Sequence, residues 1–350
     1  MQKDRDLSFD AFRGAAIIAV VAIHTSATGF SWRYSATGEW NFFFLVAYRQ
    51  LLSFAVPAFL FISGYWSSKK PIKSLGDYKT FLIRRLSRIL IPYFFWSFIL
   101  LGYEAIKTHD VNVYRIIFKL LTGGACPGYF FIIVVAQLYT ITPLLKYINR
   151  KRYGLILVLI LNIISLLALY LSRVYNIIGH LPAALPFYSW VIFYEIGLLI
   201  GSCNDKTFAP QNMRFFILPV LLVSLLASEL EGTILLLKYD NLNFAVSAVK
   251  YSSFFYSVCI ILGFLLVRER IRYWPKSLVS IGNHSFGIYL IHVPVLNQVV
   301  DLVQKSSTIY SFQPLYQFIV VLITISICFV LIRITQKLLP KSLCYRILGF

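Results

Sequence analysis

Long apolar runs separated by short polar segments recur along the whole chain of 350 residues. Several of these runs reach the roughly 20 residues that an α-helix needs to cross a bilayer. Strands of a membrane β-barrel show shorter segments of alternating polarity, and the chain lacks that period. The pattern therefore predicts an all-α, polytopic membrane helical bundle with about ten transmembrane helices. We place the spans at 9–29, 42–65, 87–107, 128–147, 153–172, 186–203, 214–231, 245–267, 278–300 and 315–336.

The first apolar run begins like a secretory signal peptide, because Lys3 and Arg5 precede it. Asp10 and Arg13 then stand where a signal peptide has a plain apolar core, and the run is long. We therefore predict an uncleaved first span. No linker, repeat or low-complexity tract divides the chain, so we expect a single integral membrane domain over residues 1–350.

Composition and charge agree with this class of protein. Hydrophobic residues make up 59% of the chain and charged residues only 13%, against about 25% in soluble domains. The formal net charge of +19 comes from bases in alternate loops, which favours membrane topology over nucleic-acid binding. The bases assigned to the cytoplasmic side are Lys69, Lys70, Lys73, Lys79, Arg84, Arg85, Arg88, Lys146, Arg150, Lys151, Arg152, Lys206, Arg214, Arg268, Arg270, Arg272, Lys276, Lys337, Lys341 and Arg346. The outer loops hold isolated bases such as Arg33, Arg115, Arg173 and Lys305. We therefore predict a multi-pass protein of the cell (cytoplasmic) membrane with both termini in the cytoplasm.

The stretch SFDAFRGAAIIAVVAIH in the first span carries three ionisable residues, Asp10, Arg13 and His24. Ionisable groups are costly in hydrocarbon and usually face a protein interior or a wet cavity. Eleven helical residues turn through about 20° more than three full turns, so Arg13 and His24 lie on one face, roughly 16 Å apart along the axis. Asp10 is three residues before Arg13, close enough to pair with it. The alternative is an Arg that reaches the membrane surface and a His satisfied in the core.

A second candidate is the basic segment RRLSRILIPYFFW. Arg84, Arg85 and Arg88 lie one turn apart at the cytoplasmic start of the third span. Guanidinium groups match phosphate oxygens in fork geometry, so the cluster could hold a phosphorylated cytoplasmic ligand. The alternative is a topology signal that also attracts anionic lipids.

A third candidate is VPAFLFISGYW at the end of the second span. Pro57, Ser63 and Gly64 interrupt an otherwise aromatic helix, as happens where backbone lines a cavity, and Tyr65 follows them. Helix packing through small residues is an equally good interpretation.

The ninth span, in SIGNHSFGIYLIHVP, contains His284 near its cytoplasmic end and His292 about two turns deeper. Either His could line the same cavity as His24, although a satisfied packing role is the more common one. Glu195 is the only carboxylate well inside the sixth run, whose start is crowded by Pro182 and Pro186. An ionised Glu there needs a partner, and Arg13 is one candidate.

Several familiar chemical motifs are missing. The sequence contains no GxxxxGK[ST] loop, no HExxH, no GxSxG elbow and no zinc cluster. The five cysteines are scattered, without metal-ligand spacing or a disulfide framework. A metal-independent mechanism that uses His and Arg is what remains.

Together these segments resemble the acyltransferase-3 family of integral membrane acyltransferases. The resemblance rests on FDAFRG with the following His24, on VPAFLFISGYW, on RRLSRILIPYFFW and on SFGIYLIHVP. It implies an acyl-CoA donor, usually acetyl-CoA, bound from the cytoplasm, and Arg13 and His24 as the essential pair. Some members of the family carry an extra extracytoplasmic hydrolase-like domain that is not seen in this sequence, so we expect the stand-alone type, which includes glycan O-acetyltransferases and O-succinyltransferases. Related membrane domains have been assigned amino-acid transport, which keeps a second class open.

The function that we expect is acyl transfer to an extracytoplasmic glycan or glycan precursor. His24 would act as general base on the acceptor hydroxyl, and Asp10 would orient Arg13. Arg13 would anchor the donor or stabilise charge on the thioester oxygen. The residues expected to hold the donor are Arg13, Arg84, Arg85 and Arg88. The candidates for lining the substrate cavity are Ser63, Tyr65, Glu195 and His292.

Two other functions compete with this interpretation. In a transporter or flippase for a small solute or glycan, the same polar stripe would be a proton relay or substrate path. A structural subunit of a polysaccharide synthase, working beside other cell-envelope biosynthesis proteins, would give no reason for Arg13 and His24 to share a helical face.

Overall fold

A computed structural model describes residues 6–30, 39–151, 153–179, 181, 186–203, 213–268 and 270–350. Every regular element in these ranges is helical, so the all-α prediction is confirmed. The helices are α1 (Leu7–Phe30), α2 (Trp40–Leu52), α3 (Ala55–Ser68), α4 (Leu75–Thr108), α5 (Val113–Thr122), α6 (Phe130–Ile148), α7 (Gly154–Arg173), α8 (Val191–Ser202), α9 (Met213–Tyr239), α10 (Leu242–Ala245), α11 (Tyr251–Arg268), α12 (Lys276–Asn283), α13 (Ser285–Val303), α14 (Ser307–Ser311), α15 (Gln313–Leu338) and α16 (Lys341–Leu343). A 3₁₀ turn, Phe187–Ser189, precedes α8, and a π turn, Cys344–Leu348, follows α16.

Nine helical segments in the described ranges are long and apolar enough to cross a bilayer, with α2 and α3 forming one of them. They correspond to nine of the ten predicted spans. The exception is the span predicted at 186–203, where α8 has only 12 residues. Such a helix is about 18 Å long, shorter than the hydrocarbon core of about 30 Å. The sixth span is therefore shorter than predicted: a 3₁₀ turn, Phe187–Ser189, leads into a short helix packed against α3.

Helix α8 lies against α3 through glycines on both helices. A Cβ at Gly64 would overlap the carbonyl of Tyr194, and a Cβ at Gly197 would overlap the carbonyl of Phe61. Gly201 repeats this contact one turn further on, so the two helices run parallel. Small residues allow helix backbones to approach this closely in a membrane protein. Close packing with α8 is therefore the role of Gly64.

The interruption of the second span lies earlier than we predicted. The helix breaks at Ser53 and Phe54, and α3 then continues without a break through Ser63 and Gly64. Pro57 falls in the first turn of α3, where the backbone N–H has no partner within the helix, so it does not interrupt the helix.

The third span also begins earlier than predicted. A reciprocal capping box starts α4 at Leu75, with the Asp77 amide 3.1 Å from Ser74 Oγ and the Ser74 amide 3.0 Å from the Asp77 carboxylate. The basic cluster at 84–88 therefore lies in the third and fourth turns of a long helix, not at its start. The capping residues precede the apolar run, which explains why hydropathy alone placed the start too late.

Other boundaries differ by less. The ninth predicted span is two helices, α12 and α13, which meet at His284, and α9 extends to Tyr239. Of the residues discussed in the sequence, several lie outside the described ranges: Lys3, Arg5, Arg33, Arg152, Pro182 and Lys206, as well as the side chain of Arg214.

Orientation in the membrane remains a prediction, and cysteine labelling tests it. With exposed Cys203 replaced by Ser, a Cys at position 74 should stay unlabelled by an impermeant maleimide in intact cells and react after permeabilisation, because basic loops are retained in the cytoplasm. A Cys at exposed Lys305 is the matched outer control and should react at once. Strong labelling at position 74 from outside would overturn the N-in, C-in assignment.

Candidate active site

The ion pair predicted on the first helix is present. Arg13 Nη1 lies 3.1 Å from Asp10 Oδ1, one turn apart on α1. Helix α12 covers Asp10, since a Cβ at Gly282 would overlap the Asp10 carbonyl. The Asp10 side chain is consequently 3% exposed, whereas Arg13 keeps 30% of its side chain accessible. Asp10 can therefore hold Arg13 while the guanidinium remains available to a ligand.

His24 lies on the same uninterrupted helix, eleven residues after Arg13, which corresponds to about 16 Å along the axis. Its half-buried ring has two close neighbours. The ring centre of His292 is 5.1 Å away, and a Cβ at Gly128 would lie 3.0 Å from His24 Nε2. Because Gly128 has no side chain, no Cβ covers this side of the His24 ring.

The backbone around Gly128 is irregular. The segment 123–129 joins α5 to α6, with positive φ at Gly123 and Gly128. The Tyr289 hydroxyl donates to the Gly128 carbonyl, and the Tyr129 hydroxyl donates to the Leu290 carbonyl at 2.6 Å. Non-helical backbone at membrane depth is tolerated where protein encloses it or where it lines a cavity. Helix α13 thus holds this segment against His24.

His292 is fully buried on α13. Its Nδ1 lies 2.7 Å from the Tyr289 carbonyl, while Nε2 has no hydrogen-bond partner in the described part of the chain. A packing role accounts for Nδ1 but not for Nε2. His284 differs, because it bonds the Ser280 carbonyl at 2.8 Å and packs on Phe329.

Arg49 is a neighbour of this site that sequence reasoning missed. Its guanidinium donates to the Ile23 carbonyl at 2.7 Å and to the Val246 carbonyl at 3.3 Å. The first bond joins α2 to α1 at Ile23, the residue immediately before His24, and the second joins α2 to Val246, which follows α10. The only sequence signal was a single Arg inside the apolar run of the second span.

A buried polar cluster next to Arg49 was also missed. Lys250 is 0% exposed, and its Nζ lies 2.7 Å from Gln50 Oε1 and 3.1 Å from the Ser228 carbonyl. Nearby, the Glu231 carboxylate accepts from the hydroxyl of Tyr170 and from the amide of Ser252 at 2.9 Å. These contacts connect α2, α7, α9 and α11 within the membrane-spanning part of the protein.

The three clustered arginines of α4 have different surroundings. Arg85 donates to the Trp66 carbonyl at 3.0 Å and lies over the ring of Tyr139. Lys146 reaches the same helix end, 2.9 Å from the Ser67 carbonyl. Cations at a helix C-terminus satisfy its free carbonyls and oppose its dipole, so Arg85 and Lys146 cap α3.

Arg84 and Arg88 remain exposed on α4. The Arg88 guanidinium lies 5.0 Å from the ring centre of Tyr345, in the π turn. Arg88 is also near enough to Arg13 for their charges to repel each other. An anion near these two guanidinium groups would offset that repulsion.

The other cavity candidates do not meet at His24. The ring of Tyr65 is buried 4.4 Å from that of Phe9, near the Arg13 end of α1, and Ser63 is half-buried on the same helix. Glu195 is 0% exposed, and both carboxylate oxygens lack a hydrogen-bond partner within the described ranges. The proposed partnership of Glu195 with Arg13 is wrong, because Arg13 pairs with Asp10. Of the four candidates, His292 alone contacts His24.

The site thus has two centres on one helix. The Asp10–Arg13 pair lies at one end, and the imidazoles of His24 and His292 lie at the other, with about 16 Å of helix between Arg13 and His24. Ionisable side chains in such positions are typical of membrane proteins that bind a substrate or move a proton within the bilayer.

Comparisons with known proteins identify that class. Residues 6–333 match the acyltransferase-3 family, described as an acyltransferase domain, so the chain belongs to this family. It is an enzyme that transfers acyl groups other than aminoacyl groups. The chain is similar to YfiQ of Bacillus subtilis (strain 168), named as a membrane-bound acyltransferase, with 24% identity over 260 residues that cover 70% of this chain and 69% of the relative. No solved structure is significantly similar to this chain.

Proposed function

We propose that this membrane acyltransferase takes an acyl group, in the simplest case acetyl, from cytoplasmic acyl-CoA and transfers it to a hydroxyl of an extracytoplasmic glycan or glycan precursor. The enzyme would work in the cytoplasmic membrane. The observation that carries the proposal is the line of polar groups on α1, with the Asp10–Arg13 pair at one end and His24 at the other.

The group of charged residues around Arg13, here called the inner centre, supports the donor half of the proposal. Coenzyme A carries several phosphate groups on a long pantetheine arm that ends in the thioester. Arg13 and Arg88 offer charge to those phosphates, and guanidinium–phosphate contacts are strong and directional. An extended pantetheine arm is long enough to carry the thioester along α1 toward His24.

The group formed by His24, His292 and Gly128, here called the outer centre, supports the chemical step. His24 Nε2, beside the space left by Gly128, would take the proton of the acceptor hydroxyl. The acceptor oxygen then forms a bond to the thioester carbon, the carbon–sulfur bond breaks, and the thiolate takes the proton from His24. The products are an ester and free coenzyme A, so no metal or redox partner is required.

The test uses purified protein in vesicles, supplied inside with acetyl-CoA labelled in the acetyl group and outside with envelope glycans. We expect label to move from coenzyme A to the glycan, with release of free coenzyme A. Movement of a solute without consumption of acetyl-CoA or succinyl-CoA would favour the transporter alternative. Use of succinyl-CoA in place of acetyl-CoA would correct the acyl group but keep the reaction class.

Charge reversal at all three arginines of α4, to Glu, should weaken binding of coenzyme A by about 10²-fold or more, since bonds to charged groups contribute roughly 1.5–3 kcal/mol each. Equilibrium binding of coenzyme A to the purified, correctly inserted variant measures this. Exposed Lys151→Glu is the matched control and should bind normally. Unchanged affinity in the triple variant would leave the cluster as a topology signal only.

Arg85→Glu alone should behave differently from Arg84→Glu or Arg88→Glu. Arg85 caps α3, so its reversal should also lower the thermal midpoint, whereas reversal of the two exposed arginines should affect the donor alone.

A further inference from the structure

The structure leaves one hydrogen-bond acceptor unexplained at the outer centre. His292 Nδ1 lies 2.7 Å from a carbonyl oxygen, and only an N–H can form that bond. A neutral imidazole with its proton on Nδ1 has a bare lone pair on Nε2. That Nε2 is buried and has no donor within the described ranges. Native proteins rarely leave a buried polar atom unpaired, so a donor is expected when the site is in its working state.

His24 is the neighbour placed to supply that donor. The two ring centres are 5.1 Å apart and the ring planes are inclined at 53°. Two imidazoles joined edge to edge by one N–H···N bond of about 2.9 Å have their ring centres roughly 5 Å apart. The separation is therefore right for such a bond, and a turn of the His24 ring would bring a nitrogen to face His292. Hydrogen bonds at active sites often tighten only when substrate binds.

We propose that His292 is a positioning residue for His24: its Nε2 accepts the Nδ1–H of His24 and thereby keeps Nε2 of His24 as the unprotonated base. This inference rests on the proposed function of His24 as general base. Neutral His has two tautomers, and only the one with the proton on Nδ1 leaves a lone pair facing Gly128. A base held in the correct tautomer by a third group is a recurring arrangement in acyl-transfer enzymes.

Helix α13 supplies the whole support for this arrangement. The Tyr289 carbonyl fixes His292, and the Tyr289 hydroxyl holds the Gly128 carbonyl. One turn of helix thus sets both neighbours of the His24 ring. In the reaction, His24 gains the acceptor proton on Nε2 and passes it to the leaving thiolate, while its Nδ1–H stays donated to His292. His292 never changes its own protonation.

The experiment compares His292→Gln with His292→Leu. The Gln side chain offers an oxygen acceptor, whereas Leu fills similar space without one. We expect His292→Leu to lower kcat for acetyl transfer by about 10–10²-fold, part of the contribution of a general base, with the KM values for donor and acceptor unchanged. His292→Gln should recover most of that loss. His284→Leu, on the same segment but away from His24, is the control and should keep wild-type kcat.

A second comparison separates positioning from packing. If His292 acts through His24, then His24→Ala combined with His292→Leu should be no slower than His24→Ala alone. An additional loss in the double variant would overturn the proposal. So would a wild-type kcat in His292→Leu, or a rise in the acceptor KM, which would place His292 on the substrate instead.

Nitrogen NMR of labelled histidine gives a readout that needs no activity. The wild-type protein should show His24 protonated on Nδ1, and His292→Leu should give a mixture of tautomers. Protonation on Nε2 in the wild type would overturn the inference even if acyl transfer is confirmed. A wild-type enzyme with no acyl transfer but with the expected tautomer would instead reject the proposed function.

Discussion

His24→Ala is expected to reduce acyl transfer by about 10²–10⁴-fold, the contribution of a general base. In the proposed reaction the acceptor hydroxyl meets His24 on the side of the ring that Gly128 leaves uncovered. The donor centre is about 16 Å away along α1, so binding of coenzyme A should be largely unaffected. The measurement is acyl transfer by purified protein at matched expression, together with equilibrium binding of coenzyme A.

Arg13→Ala is the informative comparison on the same helix. The Arg13 side chain is 30% exposed beside Asp10, at the end of α1 where we propose that the donor binds. Loss of this side chain should therefore weaken donor binding as well as turnover. Near wild-type transfer by His24→Ala would show that another group is the base. Loss of coenzyme A binding in His24→Ala would show instead that the two centres are not separate.

Gly128→Ala is expected to abolish transfer to a similar degree, although it removes no functional group. The new Cβ would lie 3.0 Å from His24 Nε2, where the reacting oxygen must approach to about 2.6–3.2 Å. Acceptor and base could then no longer meet. Donor binding should persist, because the inner centre does not contact this loop.

The positive φ of Gly128 adds strain to that substitution, so a control is needed. Gly349→Ala introduces Cβ at a similarly left-handed glycine whose neighbours are Leu290 and Phe286, away from His24. Such a change costs roughly 1–2 kcal/mol of stability by itself. If both variants lower the thermal midpoint equally and both keep transfer, then the space beside Nε2 is not the reaction site.

The spans and the first polar pair were predictable because they depend on local sequence. Apolar runs specify helices that must satisfy their own backbone in lipid, and a spacing of three residues brings Asp10 to Arg13. The errors arise where local rules compete. Hydropathy placed the start of α4 too late, since it does not register a capping box in a polar segment.

The neighbours of His24 could not be found in the same way. Gly128 and His292 approach it from segments more than a hundred residues away, and sequence periodicity does not report which helices pack together. The shortness of α8 also depends on packing, because glycines of α3 and α8 must meet before the segment is enclosed. One signal was available: Arg49 and Lys250 are cations within or beside apolar runs, and such residues rarely lack a role.

Lys250 also constrains how the protein is made. A buried ammonium group is costly unless polar groups surround it, and α11 begins immediately after the buried Lys250. The approach to α11 is therefore stable only when partners for Lys250 are in place. Its ammonium group is satisfied by Gln50 of α2 and Ser228 of α9, both of which are made earlier. We therefore expect α2 and α9 to pack together before or together with the segment that carries Lys250. Folding of the segment around Lys250 thus depends on two helices that precede it in the chain, α2 and α9.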